Sequence, residues 1–283
     1  MRKISAASEL SASLKSYIIA GKSIGFVPTM GALHRGHQSL IQRSVEENEV
    51  TVVSIFVNPL QFNNAEDLKK YPRVLEEDVL LLNDQKVDIL FCPNESELFP
   101  TQPIISVDFG YLAQSLEGKY RSGHFEGVGV IVSKLLHIVQ PDRAYFGLKD
   151  LQQFILIRTM CVDLNFPTEI IGVETVREES GLALSSRNRR LSSHGLNSAT
   201  VIFSGLQLIK NGVKKGIPLK SLLVEAEALY NEKKEFELEY IEAVNAENLK
   251  PIDDYDELNE LAVCVAGYVE GVRLIDNLYL RLK

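Results

Sequence analysis

Along the first part of the chain, unbroken apolar runs alternate with segments whose apolar residues recur at helical spacing. Ser23–Pro28 reads as a short buried strand, Gly36–Glu46 as a helix and Val50–Val57 (VTVVSIFV) as a near-continuous apolar strand. Together they make a βαβ unit of about 30 residues, the length a parallel crossover needs. A helix over Val74–Leu82 leads to a strand at Val87–Phe91, and Ile104–Asp108 has the pattern of one more strand. Gly127–Val139 predicts a buried helix, Arg143–Phe146 a strand, Leu151–Leu164 a helix and Glu169–Val173 a strand. Near the start, Leu10, Leu14, Tyr17 and Ile18 fall at helical spacing, which predicts a short amphipathic helix rather than a signal peptide. Apolar strands separated by helices predict a parallel sheet covered on both faces, with ligands at the C-terminal ends of its strands.

The pattern changes after Val176. Helices near Leu196–Ile209 and Leu219–Tyr230 precede strands at Phe236–Val244, Leu261–Tyr268 and Val272–Leu280. That order predicts a smaller α+β domain over residues 177–283, following an α/β domain over residues 1–176. The polar stretch Arg177–Arg190 (REESGLALSSRNRR) lies at the join, and ligand clefts commonly form between domains.

Charge narrows the function class. The 283 residues carry 30 Lys+Arg against 38 Asp+Glu, a formal net charge of -8. A protein that grips nucleic acid by its phosphates needs a basic face, so this balance argues against one. It leaves room for a small anion held by a few well-placed cations. No apolar run approaches the roughly 20 residues of a membrane span. Cys92, Cys161 and Cys264 form no CxxC pair and sit in apolar stretches, so they read as buried core thiols in a reducing compartment. With only five histidines in the chain, where they cluster is informative.

Two of the five fall in Pro28–His37 (PTMGALHRGH), which leaves a strand and enters a helix. Gly31 and Gly36 permit a tight turn, and the free N–H groups of a helix start bind phosphate. His34 and His37, three apart, lie on one side of such a turn, where imidazoles donate to phosphate oxygens. Metal ligation is the weaker reading of the pair, because no third His or Cys is near in sequence. Solvated turn histidines are the bland one. The run has neither the GK[ST] of a P-loop nor the GxGxxG of a dinucleotide fold.

Other strand ends offer complementary groups. Asn58 and Gln61 follow Val50–Val57 and suit a hydroxyl or carbonyl ligand, although Asn-Pro is also a common turn signal. The acidic triplet Glu76-Glu77-Asp78 reads first as charge at a helix start, and otherwise as a contributor to Mg²⁺ through water. Gly147-Leu148-Lys149-Asp150 joins a strand to a helix, with Asp150 as a plausible N-cap. A lysine at a helix start opposes the macrodipole, which makes sense if an anion sits there. Gln152 and Gln153 are about 100° apart on a helix, so one faces the cleft; Gln153, i+4 from Lys149, shares its side better. Leu184-Ser185-Ser186-Arg187 brings hydroxyls and a guanidinium suited to polyphosphate oxygens. No Ser-His-Asp nucleophile or electropositive cysteine is evident. Positioning and charge stabilisation on a bound nucleotide fit best, and nucleotidyl transfer fits better than hydrolysis.

These residues resemble a known family. Pro28-Thr29-Met30-Gly31-Ala32-Leu33-His34-x-Gly36-His37 is similar to the signature of the pantothenate synthetases (pantoate–β-alanine ligases), a version of the HxGH motif of nucleotidylyl transferases and class I aminoacyl-tRNA synthetases. The likeness continues through Phe56–Phe62, Glu66-Asp67, Tyr71-Pro72-Arg73, Leu116-Glu117-Gly118 and Gly123-His124-Phe125. It runs on through Phe146–Gln153 and Ser185–Asn188 to Arg273-Leu274-Ile275-Asp276-Asn277, so it spans nearly the whole chain. It departs from the family pattern at Leu148, Ser122, Gly129, Val130 and Arg190; Val130 stands where a hydroxyl is usual.

The resemblance implies a Rossmann-like N-terminal domain, a smaller C-terminal lid and a cytoplasmic homodimer. It also implies a two-step reaction. Pantoate's carboxylate attacks the α-phosphorus of Mg·ATP to give pantoyl adenylate and pyrophosphate; the amine of β-alanine then displaces AMP to give pantothenate. By the same resemblance, Met30, Gly31, Ala32, Leu33, His34, Arg35, Gly36 and His37 form the nucleotide turn, with His37 as proton donor. His34 and Lys149 stabilise the transferring phosphate. Gly147, Leu148, Lys149, Asp150, Val176, Leu184, Ser185, Ser186 and Arg187 line the ATP site, the last four in a loop similar in role to the KMSKS loop. Gln61, Gln153 and Asn58 hold pantoate or β-alanine. Mg²⁺ arrives with ATP, and no residue is assigned to it. His34 and Lys149 are expected to be exposed, and the cations to converge at strand ends. Two alternatives stand beside this. One is a nucleotidylyl transferase acting on another small hydroxylated acid or a phosphorylated alcohol, which would want an extra cation. The other is an RNA-binding module, for which a net charge of -8 and no Trp give no obvious surface.

Overall fold

The computed structural model describes residues 1–63 and 65–282. Lys283, the last residue of the second expected domain, and the side chain of Asp67 from the Glu66-Asp67 pair lie outside the described residues. The chain divides into two compact units: Met1–Gly147 with Gln152–Val173, and Leu148–Leu151 with Glu174–Lys283.

In chain order the first unit holds β1 (Arg2–Ile4), α1 (Ala7–Ile19), β2 (Ile24–Thr29), α2 (Arg35–Glu47), β3 (Val50–Ile55), α3 (Ala65–Lys70), α4 (Leu75–Asp84), β4 (Ile89–Phe91), α5 (Glu95–Leu98), α6 (Glu117–Tyr120), α7 (His124–Val139), β5 (Arg143–Gly147), α8 (Leu151–Asp163) and β6 (Glu169–Val173). Its six strands form one sheet in the order β1-β4-β3-β2-β5-β6, and every neighbouring pair is parallel. This is the α/β sheet the apolar runs predict. Along the strands, Val27, Val53, Leu90, Tyr145 and Val173 face one side and pack with Leu33, Ile41 of α2 and Leu82 of α4. Side chains alternate across a sheet, so Phe26, Val52 and Ala144, all buried, face the other way. There α7 packs on β2 and against α1. Each large apolar side chain buried this way contributes about 1.5–3 kcal/mol. The fully buried Tyr145 keeps its hydroxyl satisfied: it donates to Glu47 Oε2 (2.8 Å) and accepts from Asn48 Nδ2 (2.7 Å). Burial pushes its phenol up to about 12.

Two expectations need correction. Ile104–Asp108 forms no strand; an apolar alternation becomes a strand only where a ladder partner exists, and this segment has none among the described residues. β1, which the periodicity misses, is only three residues long and is defined by its pairing with β4. Of the three cysteines, Cys161 and Cys264 are buried as expected, while Cys92 is half-buried. Burial pushes the Cys161 thiol up to about 11, so it is not a nucleophile at neutral pH.

The second unit holds α9 (Ser193–Lys214), α10 (Leu219–Glu232), β7 (Glu237–Asn245), β8 (Glu260–Val269) and β9 (Val272–Arg281). The strands form an antiparallel sheet in the order β7-β8-β9. Val263 and Val265 of β8 and Val272, Leu274 and Leu278 of β9 share a core with Ile202, Leu206 and Ile209 of α9 and Leu222 and Ala226 of α10. On β9 the even-numbered residues therefore face the helices, and the odd-numbered ones face outward.

Candidate active site

β2 and β5 are neighbours at the middle of the sheet, and the chain turns away from β2 to β3 on one side and from β5 to β6 on the other. A reversal of strand order of this kind is where open α/β sheets bind ligands. The turn that leaves β2 carries the His34/His37 pair.

This turn is held from several sides. Thr29 Oγ1 donates to the Ser54 carbonyl (2.8 Å) and accepts from the Gly31 N–H (3.2 Å). Gly31 has φ +80°, and a Cβ there would lie 3.0 Å from Asp78 Oδ2 and 3.1 Å from Ile55 Cγ2, so glycine is required for both conformation and space. Ala32 follows at φ 51°, a left-handed conformation that costs a non-glycine residue about 1–2 kcal/mol. It persists because Asp78 overdetermines it. Asp78, in the first turn of α4 and only 3% exposed, accepts the Ala32 N–H at Oδ2 (2.9 Å) and the Leu33 N–H at Oδ1 (2.7 Å).

The histidines continue the pattern. His34 is the N-cap of α2: its Nδ1 accepts the Gly36 N–H (3.1 Å), and His37 Nδ1 accepts the His34 N–H (3.3 Å), a reciprocal capping box. The ring centroids are 4.1 Å apart. A ring nitrogen that accepts from an amide carries no proton, so each neutral imidazole holds its proton on Nε2. The N–H groups of Gly31, Ala32, Leu33, His34 and Gly36 already have acceptors. These five amides are therefore engaged inside the turn. His34 is also half-buried rather than exposed, because its ring packs back over its own cap.

Asn58 and Gln61 lie in the short 3-10 turn after β3. Asn58 is buried; its Nδ2 donates to Gln61 Oε1 and to the Gly127 carbonyl (both 3.1 Å), and its Oδ1 accepts the Leu60 N–H (3.3 Å). Gln61 is half-buried, and its Nε2 donates to Met30 Sδ (3.3 Å), so the structure brings Gln61 to the turn that leaves β2. Gly127 of α7 permits this: a Cβ there would lie 2.3 Å from the Leu60 carbonyl oxygen. On α8 the two glutamines part company. Buried Gln152 donates to the Leu112 (2.7 Å) and Ser115 (2.9 Å) carbonyls and accepts the Glu117 N–H (2.9 Å). Gln153 is half-buried. Gly147 ends β5, and nothing lies within 4 Å of where a Cβ would stand.

Arg35, the first residue of α2, is exposed, and the remaining predicted site residues belong to the second unit. Leu148–Asp150 form one 3-10 turn. Lys149 is expected to be exposed, yet its side chain is only 19% exposed, with Nζ 3.4 Å from Asp150 Oδ1. The Val176 carbonyl accepts the Leu184 N–H (3.0 Å), so these two residues are neighbours. Ser185 Oγ accepts the Arg187 N–H (3.3 Å) and caps the 3-10 turn Ser186–Arg190. Leu184 through Arg187 are all half-buried.

Sequence reasoning missed Asp78 as the support of the turn. The available signal was that Asp78 and Leu82, i and i+4, share the buried face of α4, so one acidic residue of the triplet lies on an apolar stripe. Among the described residues, no three His, Cys, Asp or Glu side chains gather as a metal-binding group, and no helix is long and apolar enough to cross a membrane.

Known proteins match the whole of this arrangement. A sequence profile described as Pantoate-beta-alanine ligase matches residues 2–279. The pantothenate synthetase of Cytophaga hutchinsonii is 52% identical over 261 residues, 92% of this chain and 92% of that protein. Among solved structures, the pantothenate synthetase of Thermus thermophilus superposes with a TM-score of 0.92 at 43% identity, covering 98% of this chain and 99% of that one. The pantoate-beta-alanine ligase of Francisella tularensis, complexed with beta-gamma ATP and beta-alanine, gives a TM-score of 0.80 at 37% identity over 98% and 97% of the two chains. Fold, motif order and these matches agree from one end to the other: the chain belongs to the pantoate–beta-alanine ligase family.

Proposed function

We propose that this protein condenses pantoate with β-alanine using ATP, giving pantothenate, AMP and pyrophosphate. Family membership across residues 2–279 carries the reading. In the first step a pantoate carboxylate oxygen bonds to the α-phosphorus and the bond to the pyrophosphate oxygen breaks. In the second, the amine nitrogen of β-alanine bonds to the acyl carbon, the acyl–oxygen bond breaks, AMP leaves and the amine gives up a proton.

The residue roles belong to the same proposal. Met30–His37 receive the nucleotide. His37, with its proton on Nε2, donates to phosphate oxygen as pyrophosphate departs, and His34 and Lys149 stabilise the charge that builds on the α-phosphate. Gly147–Asp150, Val176 and Leu184–Arg187 bind ATP, with Ser185, Ser186 and Arg187 addressing its phosphates. Gln61 and Gln153 hold the hydroxyls of pantoate, and Asn58 serves them by fixing the Gln61 carboxamide. Mg²⁺ enters with ATP and is held by phosphate oxygens and water, as this ion commonly is at triphosphates. Pantoate binding and most of the nucleotide contacts fall to residues 1–176, while residues 177–283 act as a lid that adds Leu184–Arg187 to the ATP site. The same reading puts the protein in the cytoplasm.

The test is stoichiometry. With ATP, pantoate and β-alanine, pantothenate, AMP and pyrophosphate should form in equal amounts. ADP in place of AMP would overturn the adenylate route.

The proposal extends to a homodimer. Ile104 is 100% and Ile105 80% exposed, in a segment with a strand-like pattern and no ladder partner among the described residues. A second copy supplies that partner. The protein should sediment at twice the chain mass, and Ile104→Asp with Ile105→Asp should shift it to the chain mass. Wild-type protein at the chain mass would contradict the dimer.

A further inference from the structure

The segment Arg273–Asn277, part of the family likeness, has no role in the chemistry above, yet two of its side chains are buried and hydrogen-bonded. Asp276 is 4% and Asn277 7% exposed. As neighbours on β9 they face opposite sides of the three-stranded sheet, Asp276 toward the helices and Asn277 outward. Asn277 Nδ2 donates to two successive carbonyls, Leu148 (2.9 Å) and Lys149 (2.8 Å). A carboxamide nitrogen has two hydrogens, and both go to this one 3-10 turn. Asp276 takes the Arg177 guanidinium in a fork, Nη1 to Oδ2 (2.5 Å) and Nη2 to Oδ1 (2.9 Å). The same guanidinium donates to the Gly181 carbonyl (3.1 Å) and lies over the Phe203 ring (4.7 Å). It thereby closes the loop whose ends pair at Arg177 and Ala183 and which runs directly into Leu184–Arg187.

We infer that Asn277 is a positioning residue that acts through Lys149, and that the adjacent Asp276–Arg177 pair does the same for the Ser185–Arg187 loop. One strand thus holds both cation-bearing loops of the second unit in fixed register. Lysine has a long flexible stem, so its ammonium is placed no better than its backbone is. The Leu148–Asp150 turn is only one turn long, and the two Asn277 bonds tie it to a ten-residue strand. The inference rests on the reading of Lys149 as the cation that meets the transferring phosphate.

The experiment is pantoate-dependent ATP–pyrophosphate exchange in Asn277→Asp, Asn277→Ala, Lys149→Ala and the two double variants. Asn277→Asp keeps the side-chain shape and loses both donors, so it carries the test should Asn277→Ala not fold. Each Asn277 variant should lower the exchange rate roughly 10- to 100-fold, the scale of a misplacement near 1 Å. A double variant should be no slower than Lys149→Ala alone, because the carbonyl clamp has nothing left to position. Amide hydrogen exchange in a peptide covering residues 148–150 should quicken in Asn277→Asp, while peptides from α9 and α10 stay unchanged. Losses that multiply in the double variant would overturn the inference, as would wild-type rates in the Asn277 variants beside a slow Lys149→Ala. Those outcomes leave the role of Lys149 standing. Wild-type exchange in Lys149→Ala overturns that role and the inference with it.

Discussion

Lys149→Ala is expected to slow pantoate-dependent ATP–pyrophosphate exchange by about 10²- to 10³-fold, the cost of removing one preorganised group from a developing oxyanion. The side chain is 19% exposed, so its charge is partly withdrawn from water, where it acts more strongly on a phosphate. Its ion pair with Asp150, at 3.4 Å, involves a carboxylate that is 52% exposed. Pairs of that kind contribute only about 0–1 kcal/mol to stability. The unfolding midpoint should therefore stay close to that of the wild type while the rate collapses. Lys149→Arg should recover only part of the rate, because a planar guanidinium does not place its charge where an ammonium does. A Lys149→Ala protein that exchanges at nearly the wild-type rate would remove Lys149 from the chemistry.

Asp78→Asn is expected to damage both stability and rate. The carboxylate accepts the Ala32 N–H with one oxygen and the Leu33 N–H with the other. A carboxamide of the same shape has one acceptor oxygen and turns an NH₂ group toward the second N–H. One buried donor is then left unsatisfied, at about 1–3 kcal/mol. The left-handed Ala32 loses part of what holds it. The His34/His37 capping box begins two residues further on, so a relaxed turn moves both imidazoles. A shift near 1 Å costs about 100-fold in rate. Urea unfolding and the exchange assay on the same preparation read the two effects separately. Wild-type values in both would show that the carboxylate does not hold the turn.

The sheet is legible in the sequence because its central strands are apolar on both faces. Val50–Ile55 (VTVVSI) needs no tertiary information to be read as a buried strand, and Ile24–Thr29 very little. Legibility fails where pairing rather than burial makes the strand. β1 has one buried residue in three and exists through its ladder with β4. Ile104–Asp108 has the pattern and lacks the ladder. The site divides in the same way. The three-residue spacing of His34 and His37 is visible in the chain, and so is a strand-to-helix turn rich in glycine. That the histidines cap their own helix, and so fix their Nε2 protons, depends on side-chain direction that spacing does not carry. Asp78 is 44 residues from His34 even when its bond partners are near neighbours of that histidine, and Asn277 is 128 residues from Lys149, so neither contact has a local signal. Charge balance is informative in a narrower sense: a net charge of -8 argues against a broad polyanion-binding face, and the proposed ATP site asks only for a few cations and imidazoles.

The central claim is that the protein activates pantoate as an adenylate before β-alanine enters. It is tested most directly by isotope exchange between pyrophosphate and ATP with wild-type protein, Mg²⁺ and no β-alanine. Label should pass from pyrophosphate into ATP when pantoate is present and not when it is left out. Exchange that needs no pantoate, or that appears only with a different acid, would contradict the account.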